Sequence, residues 1–288
     1  MGHHVIVGVD GSPEGRAAAR WGGQEAALRN VPLRLVHAVD WPVAPAIPRT
    51  GREKADRWAD EALAEAAQEQ RSRHPRTEIT TRCLSGRPAA VLAADALDAG
   101  LLVLGSRGIG GLAGFLIGSV GLSTVIATET PVVLVRADEP DRPVPDARGG
   151  IVVGVDIHEA ADHVLSFAFE EASIRGCPLR AVHGWKLPAA YEYAPFFDPE
   201  NEREIGASVT RMLDDMLLPW RHKFPSVDVT TRAYMGSAGR ELVREAAGAD
   251  LVVVGRRTRR SPLGAHLGSV AHAVLHHCPA PAAVIAHA

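Results

Sequence analysis

The chain has 288 residues, 46% of them hydrophobic and 23% charged, with a formal net charge of -3. That length suggests about two domains, and the composition is that of globular cores, which excludes collagen, coiled coil and bulk disorder. The slightly acidic balance, present in both halves, argues against a dedicated nucleic-acid binder.

No apolar run reaches the length of about 18 residues that would suggest a membrane span, and Met1 to Asp10 meets an acidic residue before a secretory core could develop. The three cysteines, Cys83, Cys177 and Cys278, lie far apart without CxxC spacing. A disulfide framework is therefore not expected, and a soluble cytoplasmic protein without membrane or nucleic-acid partners is.

In chain order, short apolar runs alternate with longer amphipathic ones. The pattern predicts strands near 4–10, 33–39, 78–83, 101–104 and 132–136, with helices near 13–29, 52–74, 87–98 and 118–128. Pro13 after Ser12 marks the start of the first helix. The scheme then repeats, with strands near 150–156, 179–185, 228–233, 250–254 and 282–286. Val5 onward aligns without gaps to Ile151 onward, sharing VGVD, EA, PLR and VH; TTR at 80–82 meets TTR at 230–232, and GSV at 118–120 meets GSV at 268–270. Such order is the mark of a tandem duplication. Domains at 1–137 and 150–288 are expected, joined by a Pro-rich, charged linker at 138–149.

Strands such as VIVGV and LLVLG are apolar throughout, as suits parallel strands covered on both faces. Each half is thus expected to be α/β, a doubly wound, Rossmann-like five-stranded sheet, mostly parallel, with helices on both faces. Ligands of such sheets bind at the carboxyl ends of the strands, where strand order reverses. Three features gather there in the first half: Gly8-Val9-Asp10-Gly11-Ser12, His37-Ala38-Val39, and a loop with glycines at 105, 108, 110, 111 and 114 that leads to Gly118-Ser119. Glycines let backbone N–H groups approach a ligand, and a helix starting at Gly118-Ser119 offers its N-terminus to phosphate.

The spacing Gly105-x2-Gly108-x9-Gly118-Ser119, with VGVDGS and the tandem arrangement, resembles the ATP-binding signature of the universal stress protein family, once per half. The resemblance implies that Asp10 lies beside adenine or ribose and that Gly8 and Ala38 line the base pocket. It also implies that Gly105, Ser106, Arg107, Gly108, Ile109, Gly110 and Gly111 wrap ribose and phosphates, and that Gly118, Ser119 and Val120 hold the phosphates. The corresponding second-half residues are Gly154, Asp156, Gly184, Gly255, Arg256, Arg257, Thr258, Gly268, Ser269 and Val270. Asp10 has a second reading, as a cap of the first helix, and the loop glycines as plain turn formers.

The second half departs from the signature. Gly11-Ser12 becomes Ile157-His158, and the middle glycine becomes Thr258. A β-branched residue is costly where φ is positive, so this loop is expected to take another path. Either Arg256, Arg257, Arg259 and Arg260 grip phosphate instead, or the half has become a structural partner.

Other signals are weaker. GxGxxxG at Gly108 to Gly114 follows the fourth strand rather than the first, and no GxxxxGK(S/T) occurs, which excludes a P-loop NTPase. His272 and His276 share a helical face, but the first copy has Leu122 and Ile126 there, so no metal site is expected. His37 and His183 recur at equivalent positions, as either pocket wall or core. No general base and nucleophile pair recurs in both halves. The apolar fifth strands call for a partner, and the resemblance implies pairing between the two halves there. The segment Tyr191 to Pro199 is a candidate for higher assembly, a homodimer or a protein partner. The expected function is an ATP-binding regulator of stress response or growth, holding ATP with or without Mg2+ and acting through nucleotide-dependent conformation or partner binding. A slow ATPase or nucleotidyl-transfer enzyme, and a ligand-free scaffold, are the alternatives.

Overall fold

Runs rich in Val, Leu and Ile with no polar alternation are stable as strands only when both faces are covered, and the chain builds this arrangement twice. The structure, a computed structural model, describes residues 4–40, 49–106, 117–137, 149–159, 161–186, 199–258 and 267–287. Contacts divide the chain into two units, Met1–Arg142 and Pro143–Ala288.

The first unit runs β1 (Val5–Gly8), α1 (Pro13–Arg29), β2 (Leu33–Val39), α2 (Arg49–Arg73), β3 (Ile79–Ser85), α3 (Pro88–Asp95), β4 (Leu101–Gly105), α4 (Ser119–Ala127) and β5 (Val132–Val135). The strand order is β3-β2-β1-β4-β5. Every pairing within it is parallel, with Val5 opposite Leu33 on one side and Leu101 on the other. The second unit runs β6 (Ile151–Gly154), α5 (Asp162–Arg175), β7 (Leu179–Trp185), α6 (Pro199–Lys223), β8 (Val229–Met235), α7 (Ala238–Glu245), β9 (Leu251–Arg257), α8 (Ser269–His277) and β10 (Ala282–His287). Its order, β8-β7-β6-β9-β10, is again all parallel. In each unit the chain leaves the first strand toward one side and later crosses to the other. The crevice at that reversal lies over the carboxyl ends of β1 and β4, or of β6 and β9.

The sheets are dry. Ile6, Val7, Leu101, Leu102 and Val103 in the first unit, and Val153, Leu251, Val252 and Val253 in the second, show no exposed surface. The two copies cover this core differently. α1 carries alanine and glycine and lies close to the sheet, so that a Cβ on Gly22 would stand 2.4 Å from Val7 Cγ2. α5 instead buries Leu165 and Phe169, and Phe169 stacks on Trp220 of α6 with ring centroids 5.8 Å apart. Residues shared by the repeat have shared work. Buried Glu25 pairs with Arg29, and buried Glu171 with Arg175 at 3.1 Å. Arg34 reaches Asp95 at the end of α3, while Arg180 reaches Glu245 at the end of α7.

Most elements fall within two or three residues of the sequence expectation. The largest difference among the strands is in β9: expected to stop at 254, it continues through Arg257, because Ala286 and His287 of β10 supply ladder partners for Arg256 and Arg257. β1, expected to reach 10, stops at Gly8, where the chain turns toward α1.

Candidate functional site

In the first unit the strand-end residues are small for packing reasons as well as for access. A Cβ on Gly8 would meet Leu104 Cδ2 at 2.5 Å, so a side chain there would push the Leu104 side chain aside. The turn beyond it is closed by side chains. Oδ1 of Asp10 accepts the Ser12 backbone N–H at 3.0 Å and the Ser12 hydroxyl at 2.5 Å. The same hydroxyl oxygen accepts the Gly15 N–H at 2.9 Å, capping α1. Gly11 adopts φ +74, a left-handed conformation that suits glycine, and the Trp58 ring occupies the space its Cβ would need. Asp10 thus closes the turn that holds Ser12, while Ser12 and not Asp10 caps α1, and no hydrogen bond to Asp10 Oδ2 forms among the described residues.

His37 explains why the VH pair recurs. Its Nδ1 lies 2.6 Å from the Val9 carbonyl oxygen, and His183 Nδ1 lies 2.8 Å from that of Val155. A carbonyl only accepts, so Nδ1 carries the proton in both rings. Each histidine pins the chain where it leaves the first strand of its unit.

The start of α4 lies against the end of β4. The Ser106 N–H donates to Val135 O at 2.7 Å, and the Gly118 N–H donates to Ser106 O at 2.6 Å. Gly105, Ser106 and Gly118 are therefore neighbours at the mouth of the crevice, and Ser119 and Val120 open α4 with exposed side chains. Gly118 caps α4 through backbone geometry alone, with no side-chain cap and no acidic residue in the first turn. Such a helix start presents unpaired N–H groups and positive dipole potential to an anion. The Ser106 hydroxyl is buried and has no hydrogen-bond partner among the described residues. Ala38 stands half-buried near the end of β2. Arg107, Gly108, Ile109, Gly110 and Gly111 lie outside the described residues.

The second unit contains a cavity of about 330 Å³ at the same edge. Gly154, Asp156, Gly184, Gly255, Arg257, Gly268 and Val270, all expected from the sequence, line it. Asp156 again forms a turn, accepting the His158 N–H at 3.0 Å. Gly184 is required by packing, since a Cβ there would lie 2.4 Å from Ala238 Cα at the start of α7. Gly268 starts α8 as Gly118 starts α4, with no side-chain cap, and Ser269 is exposed in the first turn.

Thr258 donates both its N–H and its hydroxyl to the His287 carbonyl, at 2.7 and 3.0 Å, extending the β9 ladder where the signature has glycine. Its φ is not positive. Of the four arginines weighed for phosphate, Arg256 is buried and Arg257 is engaged with Glu159, its Nε 2.7 Å from Oε2 and its Nη2 against Oε1. Arg259 and Arg260 lie outside the described residues.

Sequence reasoning missed Glu159, Leu242 and His287, all of which line the cavity. Leu242 faces Gly154, and the His287 ring sits against Gly255. Only Glu159 carried a signal, a charge where the first copy has Pro13. His272 and His276 lie with ring centroids 4.2 Å apart and planes tilted by 32°, but among the described residues no group of three metal-ligating side chains forms. No helix among them is long and apolar enough to cross a membrane.

Residues 1–136 and 149–286 each match the universal stress protein family. A universal stress protein of Mycobacterium tuberculosis is 34% identical over 292 residues, spanning 98% of this chain and 96% of its own. One from Mycolicibacterium smegmatis is 32% identical over 293 residues, with the same coverage of 98% and 96%. The crystal structure of a universal stress protein from Archaeoglobus fulgidus DSM 4304 matches over 100% of both chains with a TM-score of 0.71 at 17% identity, a likeness of fold. With the repeat, the doubly wound sheets and these matches in agreement, the chain belongs to the universal stress protein family, with one copy of the family's domain in each half.

Proposed function

We propose that the chain is an adenine-nucleotide-binding regulator of stress response or growth, built from domains at 1–137 and 150–288, which holds ATP in its first cleft and acts through nucleotide-dependent conformation or partner binding in the cytoplasm. The observation that carries this reading is the repeated placement of an uncapped helix start, at Gly118 and again at Gly268, on the mouth of a crevice at the carboxyl edge of a parallel sheet. Phosphate oxygens satisfy those N–H groups and the dipole behind them. The buried Ser106 hydroxyl has the position and chemistry to donate to a phosphate or ribose oxygen. Asp10 accepts from ribose hydroxyls or the adenine amino group, and the small strand-end residues Gly8 and Ala38 leave room for the ring. Family membership supports the same reading. The chemistry ATP supplies in this role is recognition, with or without Mg2+ on its phosphates, and the nucleotide is a signal held rather than a substrate consumed.

Calorimetry on folded, nucleotide-stripped chain tests the reading. The expected result is saturable ATP binding with a dissociation constant on the order of micromolar, about -8 kcal/mol. Absence of binding contradicts it, and sustained ATP turnover at about 1 per second or faster replaces it with the enzyme reading.

A further inference from the structure

The ion pair between Glu159 and Arg257 lies at the cavity of the second unit, both residues lining it. Each partner is fixed from behind. Glu159 stands five residues beyond the end of β6, in a turn whose N–H donates to Asp156 O at 3.3 Å. Arg257 is the last residue of β9, held in register opposite His287, with Thr258 bonded twice to the His287 carbonyl. β6 and β9 are adjacent parallel strands, so the pair spans the crevice where strand order reverses.

Two consequences follow for a ligand. The guanidinium edge formed by Nε and Nη2, which would grip a phosphate bidentately, is already occupied by the carboxylate. The Glu159 carboxylate also places negative charge at the rim, and each further phosphate of a nucleotide adds charge of the same sign. The cavity volume, about 330 Å³, is near the lower end for ligand pockets, which run from about 300 to 1,000 Å³. In the first unit the residue aligned with Glu159 is Pro13, so that cleft has no carboxylate at the corresponding position.

We infer that Glu159 makes the second cleft selective for an adenine nucleoside or its monophosphate over the triphosphate, by occupying Arg257 and by repelling a polyphosphate at the rim. The inference rests on the reading that the clefts take adenine nucleotides. On it, the duplicated chain holds two ligands of different charge at once, ATP in one copy and its dephosphorylated form in the other.

Native mass spectrometry of the full chain in an equal mixture of ATP and AMP reads this directly, because the two ligands differ in mass. The wild type is expected to carry one ATP and one AMP. Glu159→Gln frees the Arg257 fork and removes the rim charge without changing size, and is expected to raise ATP affinity at the second cleft by about tenfold or more, giving a species with two ATP. Glu159→Ala, a second variant at this exposed turn, is expected to shift the population the same way. Two ATP on the wild type, no second ligand of either kind on the wild type, or an unchanged mixed complex in both variants overturns the inference while leaving the first-cleft reading intact. No adenine ligand on any form of the chain overturns the underlying reading instead.

Discussion

Ser12 donates both its backbone N–H and its hydroxyl to Oδ1 of Asp10, and the same hydroxyl oxygen caps α1 at the Gly15 N–H. A residue proposed to face nucleotide therefore also supports a helix start, and substitution separates the two roles. Ser12→Ala loses the cap and is expected to cost about 1 kcal/mol in urea unfolding, with ATP affinity nearly unchanged. Asp10→Asn keeps an acceptor for Ser12 but removes the charge. Its stability is expected to stay within about 0.5 kcal/mol of the wild type, while ATP affinity falls about tenfold. Unchanged affinity in calorimetry would reduce Asp10 to a turn residue.

Gly184 and Gly176 predict contrasting effects in the second unit. A Cβ at Gly184 meets the Ala238 Cα, Cβ and N at 2.4 to 2.6 Å, and the backbone at the start of α7 must move. Gly184→Ala is expected to cost about 1–3 kcal/mol and to disturb the cavity that Ala238 lines. At Gly176 nothing lies within 4 Å, but φ is +62. Gly176→Ala is expected to cost about 1 kcal/mol from backbone strain alone, with second-cleft binding intact. Thermal unfolding with and without AMP distinguishes the pair.

The recurring histidines are structural donors to strand-end carbonyls. His183→Phe keeps an aromatic ring but leaves the Val155 carbonyl without this donor, an expected loss of about 1–3 kcal/mol. Denaturant unfolding of His183→Phe and His37→Phe should show similar penalties, and a negligible effect in both contradicts the assigned role.

Cys83 is exposed on β3, yet its thiol is pushed above the ordinary range by partial desolvation, with the Asp60 and Asp56 carboxylates adding to the shift. A raised thiol pKa means less thiolate near pH 8. Alkylation of Cys83 is therefore expected to be slower than that of a free thiol. Asp60→Asn should speed it and salt should do the same by screening, whereas insensitivity to both removes the carboxylates from the account.

Much of the fold is legible because its signals are local. Continuous apolar strands, Pro13 after Ser12, and the repeated VGVD, PLR and VH segments locate the elements and the duplication. The strand ends Gly8 and Gly105, the turn residue Asp10 and the helix start at Gly118 are legible for the same reason, since the end of an apolar run and a glycine beside it are read directly. What escaped depends on partners distant in sequence. β9 outruns its apolar stretch because β10 pairs with Arg256 and Arg257, whose side chains suggest a loop. Glu159 meets Arg257 across 98 positions, and nothing near either residue announces the other. Gly184, expected at the second cleft as the counterpart of Ala38, has its tightest constraint from a helix brought against it from residue 238 onward.

The central claim is that the crevice at the carboxyl edge holds an adenine nucleotide. Mass spectrometry of the small molecules released when the purified, desalted full chain is denatured tests it most directly. The account predicts adenine nucleotide with ATP among the released species, and loss of the ATP component in a chain carrying Asp10→Asn together with Ser106→Ala. Protein that releases no adenine nucleotide, and takes up none when refolded in its presence, contradicts it.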